Sequence, residues 1–168
     1  SRDIVRSLIE MDKFDVKIAS LRWGACPMNA LNPDIPHEKE IMDRILTQPL
    51  QRQPDVNIEI RVPNEFQRVG KYNIGITAGM ETTLVSKEWV EGVNRTDLCI
   101  VPSEHSKAVF MNTKYTQMSP QNQPVGELKV DKPVEVLFEG ADTNVYKKTN
   151  KIPSELDSVF NDVEEDFN

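Results

Sequence analysis

Stretches with strand-like and helix-like patterns of apolar residues alternate along this chain. Residues 1–11 place their Ile, Val and Leu side chains on one helical stripe, and helices are also predicted at 37–46, around Trp89 and after Ser103. Strands are predicted by alternation at 15–21, 56–62 and 73–77, and by apolar runs at 98–101 and 134–138. Strands and helices therefore follow one another in turn.

This order of elements predicts an α/β fold, specifically a Rossmann-like three-layer domain with a mostly parallel sheet. Residues 98–101 are apolar throughout, which is typical of a central parallel strand covered by helices on each side. In contrast, Val56, Ile58 and Ile60 alternate with polar residues, so that strand is predicted at or near a sheet edge with its polar face in water. Residues 113–133, which are rich in Pro, Gln and Asn, are expected to hold only a short strand or turn.

Length and charge predict one globular domain followed by an acidic tail. The chain has 168 residues, of which 38% are hydrophobic and 28% charged, and this is enough for one hydrophobic core. We assign that domain to residues 1–150; because a helix begins at the first residue, we expect the domain's first strand to lie upstream. Residues 151–168 carry −5 of the net charge of −7, and we predict an acidic linker or a short amphipathic helix there.

Composition argues against several functional classes. The first 150 residues are nearly neutral and have no cluster of Lys and Arg, which argues against nucleic-acid binding. No apolar run is long enough for a transmembrane segment and the first residues are too charged for a signal peptide, so a cytoplasmic protein is expected. Two cysteines and two histidines are too few for a Cys- or His-based metal centre, and Cys99 is predicted to be buried.

Ligands of α/β folds bind at the carboxyl ends of the strands, so the loops that follow predicted strands are the candidate sites. These loops are 22–24, 63–70, 77–83, 102–106 and 139–143. In loop 77–83, Gly79 permits a tight turn and close approach of a ligand, while Glu81, Thr82 and Thr83 offer a carboxylate and two hydroxyls suited to sugar-like polyols. The alternative interpretation is a surface loop whose polar groups are simply solvated.

Loop 102–106 is the second candidate. Ser103 is placed to accept hydrogen bonds from the first N–H groups of the next helix, and such a helix end attracts anions. Glu104 weakens that attraction by adding a negative charge, and a helix cap without a ligand is the alternative. His105 is either an acid/base group or a structural residue, since no partner is designated for it.

Several short motifs in the second half of the chain occur in a recognisable order. They are Glu81-Thr82, Trp89 with Asn94, Val101-Pro102-Ser103-Glu104, and Gly140-Ala141-Asp142 with Tyr146. In order and spacing over about 65 residues, they resemble the end of the N-terminal domain of retaining GT-B glycosyltransferases of the glycosyl transferases group 1 class. The chain departs from that pattern at Ala141, where Val or Ile is usual, and at His105, where an aromatic residue is common. It also lacks a histidine at 76–80.

The resemblance implies the acceptor-side half of a metal-independent, hexosyltransferase-type enzyme. A second domain, absent from this chain, would bind the nucleotide-sugar donor, so this half would bind no cofactor and be inactive alone. The acceptor would be a carbohydrate or glycoconjugate. The implied substrate-binding residues are Gly79, Glu81, Thr82, Ser103, Glu104, Gly140 and Asp142. No catalytic residue is assigned, and a non-enzymatic α/β module that binds a ligand or a protein remains the alternative.

Overall fold

The computed structural model describes residues 2–21, 24–27, 29–79, 81–141, 143 and 148. The chain divides into two compact units, Ser1–Leu137 and Phe138–Asn168. The described residues of the second unit form no helix or strand, and the helix predicted within 151–168 lies outside the described residues.

The first unit contains the helices and strands that are described. In chain order they are α1 (Arg2–Glu10), α2 (Pro36–Met42), β1 (Val56–Ile60), a 3₁₀ turn (Pro63–Glu65), β2 (Tyr72–Ile76), α3 (Lys87–Asn94), β3 (Leu98–Val101), α4 (Glu104–Asn112), β4 (Lys114–Met118), β5 (Pro124–Lys129) and β6 (Val134–Val136). The helices predicted at the start of the chain and after residue 36 are confirmed. The strand predicted at 15–21 is wrong, because that segment makes only an isolated parallel bridge between Ile18 and Ile45.

The main sheet has the order β1-β2-β3-β6, and every neighbouring pair in it is parallel. This confirms a Rossmann-like α/β fold with a mostly parallel sheet. It also confirms the predicted edge position of β1 and the central position of β3. Because the strands are in register, Asn57, Asn73, Cys99 and Val134 share one face, whereas Ile58, Ile74 and Leu98 share the other.

The hydrophobic core lies on the first of these faces, which we call the core face. Cys99 and Val101 of β3 pack there with side chains of α3 and α4, including Val90, Val93 and Phe110, all at most 1% exposed. The Trp89 and Phe110 rings stack at 6.1 Å with an angle of 14° between their planes, which joins the two helices. Burial of Cys99 is confirmed, and it raises the pKa of that thiol to about 12.

The predicted orientation of β1 is wrong. Asn57 and Glu59 belong to the core face and are partly buried, whereas Ile58 and Ile60, on the opposite face, are 36% and 37% exposed. The polar side chains are tolerated because the loop after β1 folds back over them, and the Glu59 carboxylate accepts a hydrogen bond from the Gln67 N–H at 2.9 Å. We call the face with Ile58, Ile60, Ile74, Leu98 and Ile100 the outer face.

Residues 113–133 hold more structure than predicted, because β4 and β5 form an antiparallel hairpin. Tyr115 and Leu128 are paired across the two strands and pack against the core, while most other hairpin side chains are exposed. At the turn, the Ser119 hydroxyl accepts hydrogen bonds from the N–H groups of Gln121 and Gln123. Polar residues and Pro124 are compatible with such a solvent-exposed pair of strands.

Candidate functional site

The carboxyl ends of β2 and β3 bring the two candidate loops into contact. The Thr77 N–H donates a hydrogen bond to the Ile100 carbonyl at 3.1 Å, which continues the pairing of these strands. Two residues further, a Cβ built at Gly79 would lie 2.6 Å from Ser106 Oγ and 3.3 Å from Pro102 Cγ. A side chain at position 79 would therefore require Ser106 or the loop to shift, and glycine allows the loop to lie directly against the first turn of α4.

Ser103 caps α4 as predicted. Its hydroxyl accepts a hydrogen bond from the Ser106 N–H at 3.1 Å, and the two hydroxyl oxygens are 2.9 Å apart. Ser106 is buried, while Glu104 and His105 are exposed at the start of the helix. The side chains of Ser103 and Ser106 thus form a small polar pair beneath Gly79.

Glu81 and Thr82 lie in an exposed loop that is held at both ends. Gly79 rests against α4 on one side, and on the other the Val85 N–H donates to Thr113 Oγ1 at 3.2 Å. Within the loop, the Thr82 hydroxyl donates to the Leu84 carbonyl at 2.9 Å. The loop therefore presents the Glu81 carboxylate to solvent near a rigid edge of the sheet.

The remaining two predicted residues belong to the second unit. Gly140 is exposed, and among the described residues a Cβ placed on it would meet no atom within 4 Å, so nothing in that part of the chain requires glycine there. Asp142 lies outside the described residues.

The sequence did not predict a concave surface that lies on the first unit, although loop 63–70 is one of the five candidate loops. This surface is a depression of about 690 Å³ that is largely open to solvent, and we call it the arginine concavity. Its lining residues are Arg61, Asn64, Glu65, Phe66, Gln67, Arg68 and Arg95. The three arginines come from separate segments of the chain, so no local cluster of basic residues in the sequence marks this surface.

The walls of the arginine concavity are fixed by direct backbone contacts. The 3₁₀ turn packs so tightly on α3 that a Cβ at Gly92 would overlap the Pro63 carbonyl. Arg95 then binds the same segment, since its Nε donates to the Phe66 carbonyl at 2.9 Å and its Nη2 to the Asn64 carbonyl at 2.7 Å.

Asp97 holds Arg68, another residue that lines the concavity, in place. Its carboxylate accepts hydrogen bonds from the Asn73 N–H at 2.8 Å, from Asn73 Nδ2 at 3.1 Å and from Arg68 at 3.0 Å. The hydrogen bonds from Asn73, followed by that from Arg68, lower the pKa of Asp97 below its ordinary value. Arg68, which lines the concavity, is therefore paired with a carboxylate.

In the part of the chain that the structure describes, no three His, Cys, Asp or Glu side chains are grouped to hold a metal ion. No described helix is long and apolar enough to cross a membrane. No family model, no curated protein and no solved structure matches this chain.

Proposed function

We propose that this chain is the acceptor-side half of a cytoplasmic, metal-independent glycosyltransferase. The observation that carries the proposal is the contact between Gly79 and Ser106, because it joins two motifs that are distant in the sequence. The Glu81-Thr82 segment and the helix that begins after Ser103 both belong to the resemblance with GT-B enzymes. Their convergence at the carboxyl edge of a parallel sheet is what an α/β binding site requires.

In this proposal the two loops bind the acceptor sugar. The Glu81 carboxylate accepts hydrogen bonds from acceptor hydroxyls, and the Thr82 hydroxyl adds a second polar contact. Ser103, Ser106 and Gly79 hold the loop in place against α4. Sugar transfer in such an enzyme depends on positioning and charge stabilisation between two domains. The nucleotide-sugar donor would bind to a partner domain, so this half alone should not catalyse sugar transfer.

The test is an assay of the complete gene product that contains this chain. It is incubated with UDP-, GDP- and ADP-hexoses, and loss of the nucleotide sugar is followed with and without saccharide acceptors. We expect turnover that an acceptor accelerates, and we expect Glu81→Gln to reduce the accelerated rate about 10- to 100-fold. Glu91→Gln on α3 removes an equivalent charge from an exposed helix position and should leave the rate unchanged.

Two results would contradict the proposal. One is the absence of any nucleotide-sugar consumption by a folded gene product. The other is equal activity of the Glu81→Gln and Glu91→Gln enzymes, which would remove loop 77–83 from the acceptor site.

The outer face favours a second candidate, a non-enzymatic α/β module that binds a protein. Ile58 and Ile60 are exposed there next to the partly buried Ile74 and Ile76, and apolar patches of this kind often mark contact surfaces. The same assay separates the two candidates, because a binding module consumes no nucleotide sugar with any acceptor.

A further inference from the structure

We propose that the arginine concavity is a binding site for a small oxyanion, a phosphate or carboxylate group carried by a ligand. This site goes beyond the proposed acceptor site and has no residue in common with it. Arg95 and Arg68 precede strands β3 and β2, so they lie toward the amino ends of those strands, whereas Arg61 follows β1 at its carboxyl end. Gly79 and Ser103 follow the same strands at the carboxyl ends.

One arginine of the concavity has no described carboxylate partner. Three arginines line the concavity, and the carboxylates of Glu65, Asp97 and Glu59 contact its lining residues. Glu65 pairs with Arg61 at 3.0 Å, and Arg68 pairs with Asp97 at 3.0 Å. The two described partners of the Arg95 guanidinium are the carbonyls of Phe66 and Asn64, which are dipoles and do not neutralise its charge. A ligand oxyanion would supply the neutralising negative charge, because it can accept hydrogen bonds from the Arg95 N–H groups that those carbonyls do not use.

Side chains that line the concavity are held in place without a ligand. Arg95 is oriented by two short hydrogen bonds, so little side-chain entropy is lost when it binds an anion. Arg61 is also restrained, since only 19% of its side chain is exposed. Phe66, which is 1% exposed, anchors the loop that forms the floor.

The size and surroundings of the concavity indicate a small ligand. A volume of about 690 Å³ lies in the usual range of sites for small molecules. Exposed Asn64 and Gln67 at its rim can donate additional hydrogen bonds to the rest of such a ligand. The nearly neutral first 150 residues do not provide the extended positive surface that a nucleic-acid backbone needs.

The test uses the full chain labelled with ¹⁵N, and it follows the Arg Nε–Hε signals by NMR. Inorganic phosphate and acetate are titrated separately, with sodium chloride at matched ionic strength as the reference. We expect saturable shifts of the Arg95 and Arg61 signals with at least one of the two oxyanions, and the stronger one identifies the preferred group. Shifts that are linear, or that chloride reproduces, would overturn the proposal.

A charge-matched pair of variants tests the location. Glu65→Gln removes the carboxylate that competes for Arg61, so oxyanion affinity should rise about 3- to 10-fold. Glu127→Gln makes the same change on the hairpin, where Glu127 contacts Lys114 and Lys129, and affinity should change less than twofold. Equal effects of the two variants would show a general charge effect and refute the site.

Arg95→Lys tests the role of the oriented guanidinium. It keeps the charge and removes the planar fork, so affinity should fall about 10-fold. If Arg95→Lys does not fold, Arg61→Gln replaces it in the test. Because Arg61→Gln removes a guanidinium from the same concavity, it should lower oxyanion affinity about 3-fold or more. A folded variant with unchanged affinity would contradict the proposal.

Discussion

Asn57 and Asn73 face each other in register on strands β1 and β2, yet their side chains are satisfied to very different degrees. Asn73 is 1% exposed; its Oδ1 accepts from the N–H groups of Val69 and Gly70, and its Nδ2 donates to the Gly70 carbonyl and to Asp97. Asn57 Nδ2 is buried with no hydrogen-bond partner in the described part of the chain. Two identical side chains on neighbouring strands therefore differ in the hydrogen bonding of their amide groups.

We predict that Asn73→Ala destabilises the fold by about 2–4 kcal/mol, because it leaves the buried N–H and carbonyl of Gly70 and the part-buried N–H of Val69 without their partner. Asn57→Ala is the matched control, and it should change the free energy of unfolding by less than about 1 kcal/mol, since it removes an unpaired buried donor. Urea unfolding of both variants measures the difference. Similar losses in the two would mean that the Asn73 hydrogen bonds do not hold the loop.

The contact between Gly79 and Ser106 predicts coupling between two substitutions. Gly79→Ala places a methyl group 2.6 Å from Ser106 Oγ, and we expect a loss of about 1–3 kcal/mol from this overlap. Ser106→Ala removes that oxygen and leaves the new methyl group 3.3 Å from Pro102 Cγ and 3.9 Å from Ser106 Cβ.

The double variant should therefore be more stable than the sum of the two single losses predicts, by about 1 kcal/mol. Gly140→Ala serves as a control and should be neutral, because a Cβ there meets no atom of the described residues within 4 Å. Thermal or urea unfolding of the wild-type protein, the two single variants and the double variant gives the coupling energy. Strict additivity would indicate that the two residues do not touch.

The region from β2 to α4 was predicted well because its signals are local. The spacing of Trp89, Val90 and Val93 indicates a helix with one buried side, and the apolar run Leu98–Val101 indicates a central strand. The meeting of loops 77–83 and 102–106 also follows from the sequence, because neighbouring parallel strands end at the same edge.

The errors concern features that depend on distant partners. Alternation in β1 separates Ile58 from Glu59, but it does not indicate on which side the helices pack. The hydrogen bond from the Gln67 N–H to Glu59 depends on how the loop after β1 folds back. The segment at 15–21 has a strand-like pattern, yet only Ile18 finds a partner, at Ile45. The arginine concavity was missed for the same reason, since Arg61 and Arg95 become neighbours only when the 3₁₀ turn packs on α3.

The lowered pKa of Asp97 predicts how the free energy of unfolding depends on pH. Its pKa in the folded protein is lowered from an ordinary value of 3.8, first by the hydrogen bonds from Asn73 and then by Arg68. Stability from this carboxylate is therefore fully present above about pH 4, and it is lost as the pH falls through the lower folded pKa. Asp97→Asn should lower stability at pH 7 and make the decrease between pH 5 and pH 2 less steep.

Asp55→Asn is the control for Asp97, since Asp55 pairs with Lys71 and both side chains are mostly exposed. Its effect on the unfolding curve at each pH should be smaller, because exposed pairs are screened by water and salt. Urea unfolding at several pH values measures both variants. An unchanged acid slope for Asp97→Asn would contradict the assigned hydrogen bonds.

The two faces of the sheet predict different costs for removing an apolar side chain. Val101, on the core face, is 1% exposed and packs among α3 and α4, so Val101→Ala should cost about 1.5–3 kcal/mol. Ile58 is 36% exposed on the outer face, and although Ile→Ala removes more atoms, the loss should be no more than about 1 kcal/mol, because little cavity forms. Urea unfolding of dilute protein compares the two variants directly. A larger loss for Ile58→Ala would show that the outer face is covered in solution, and a loss that grows with protein concentration would show that another copy of the chain covers it.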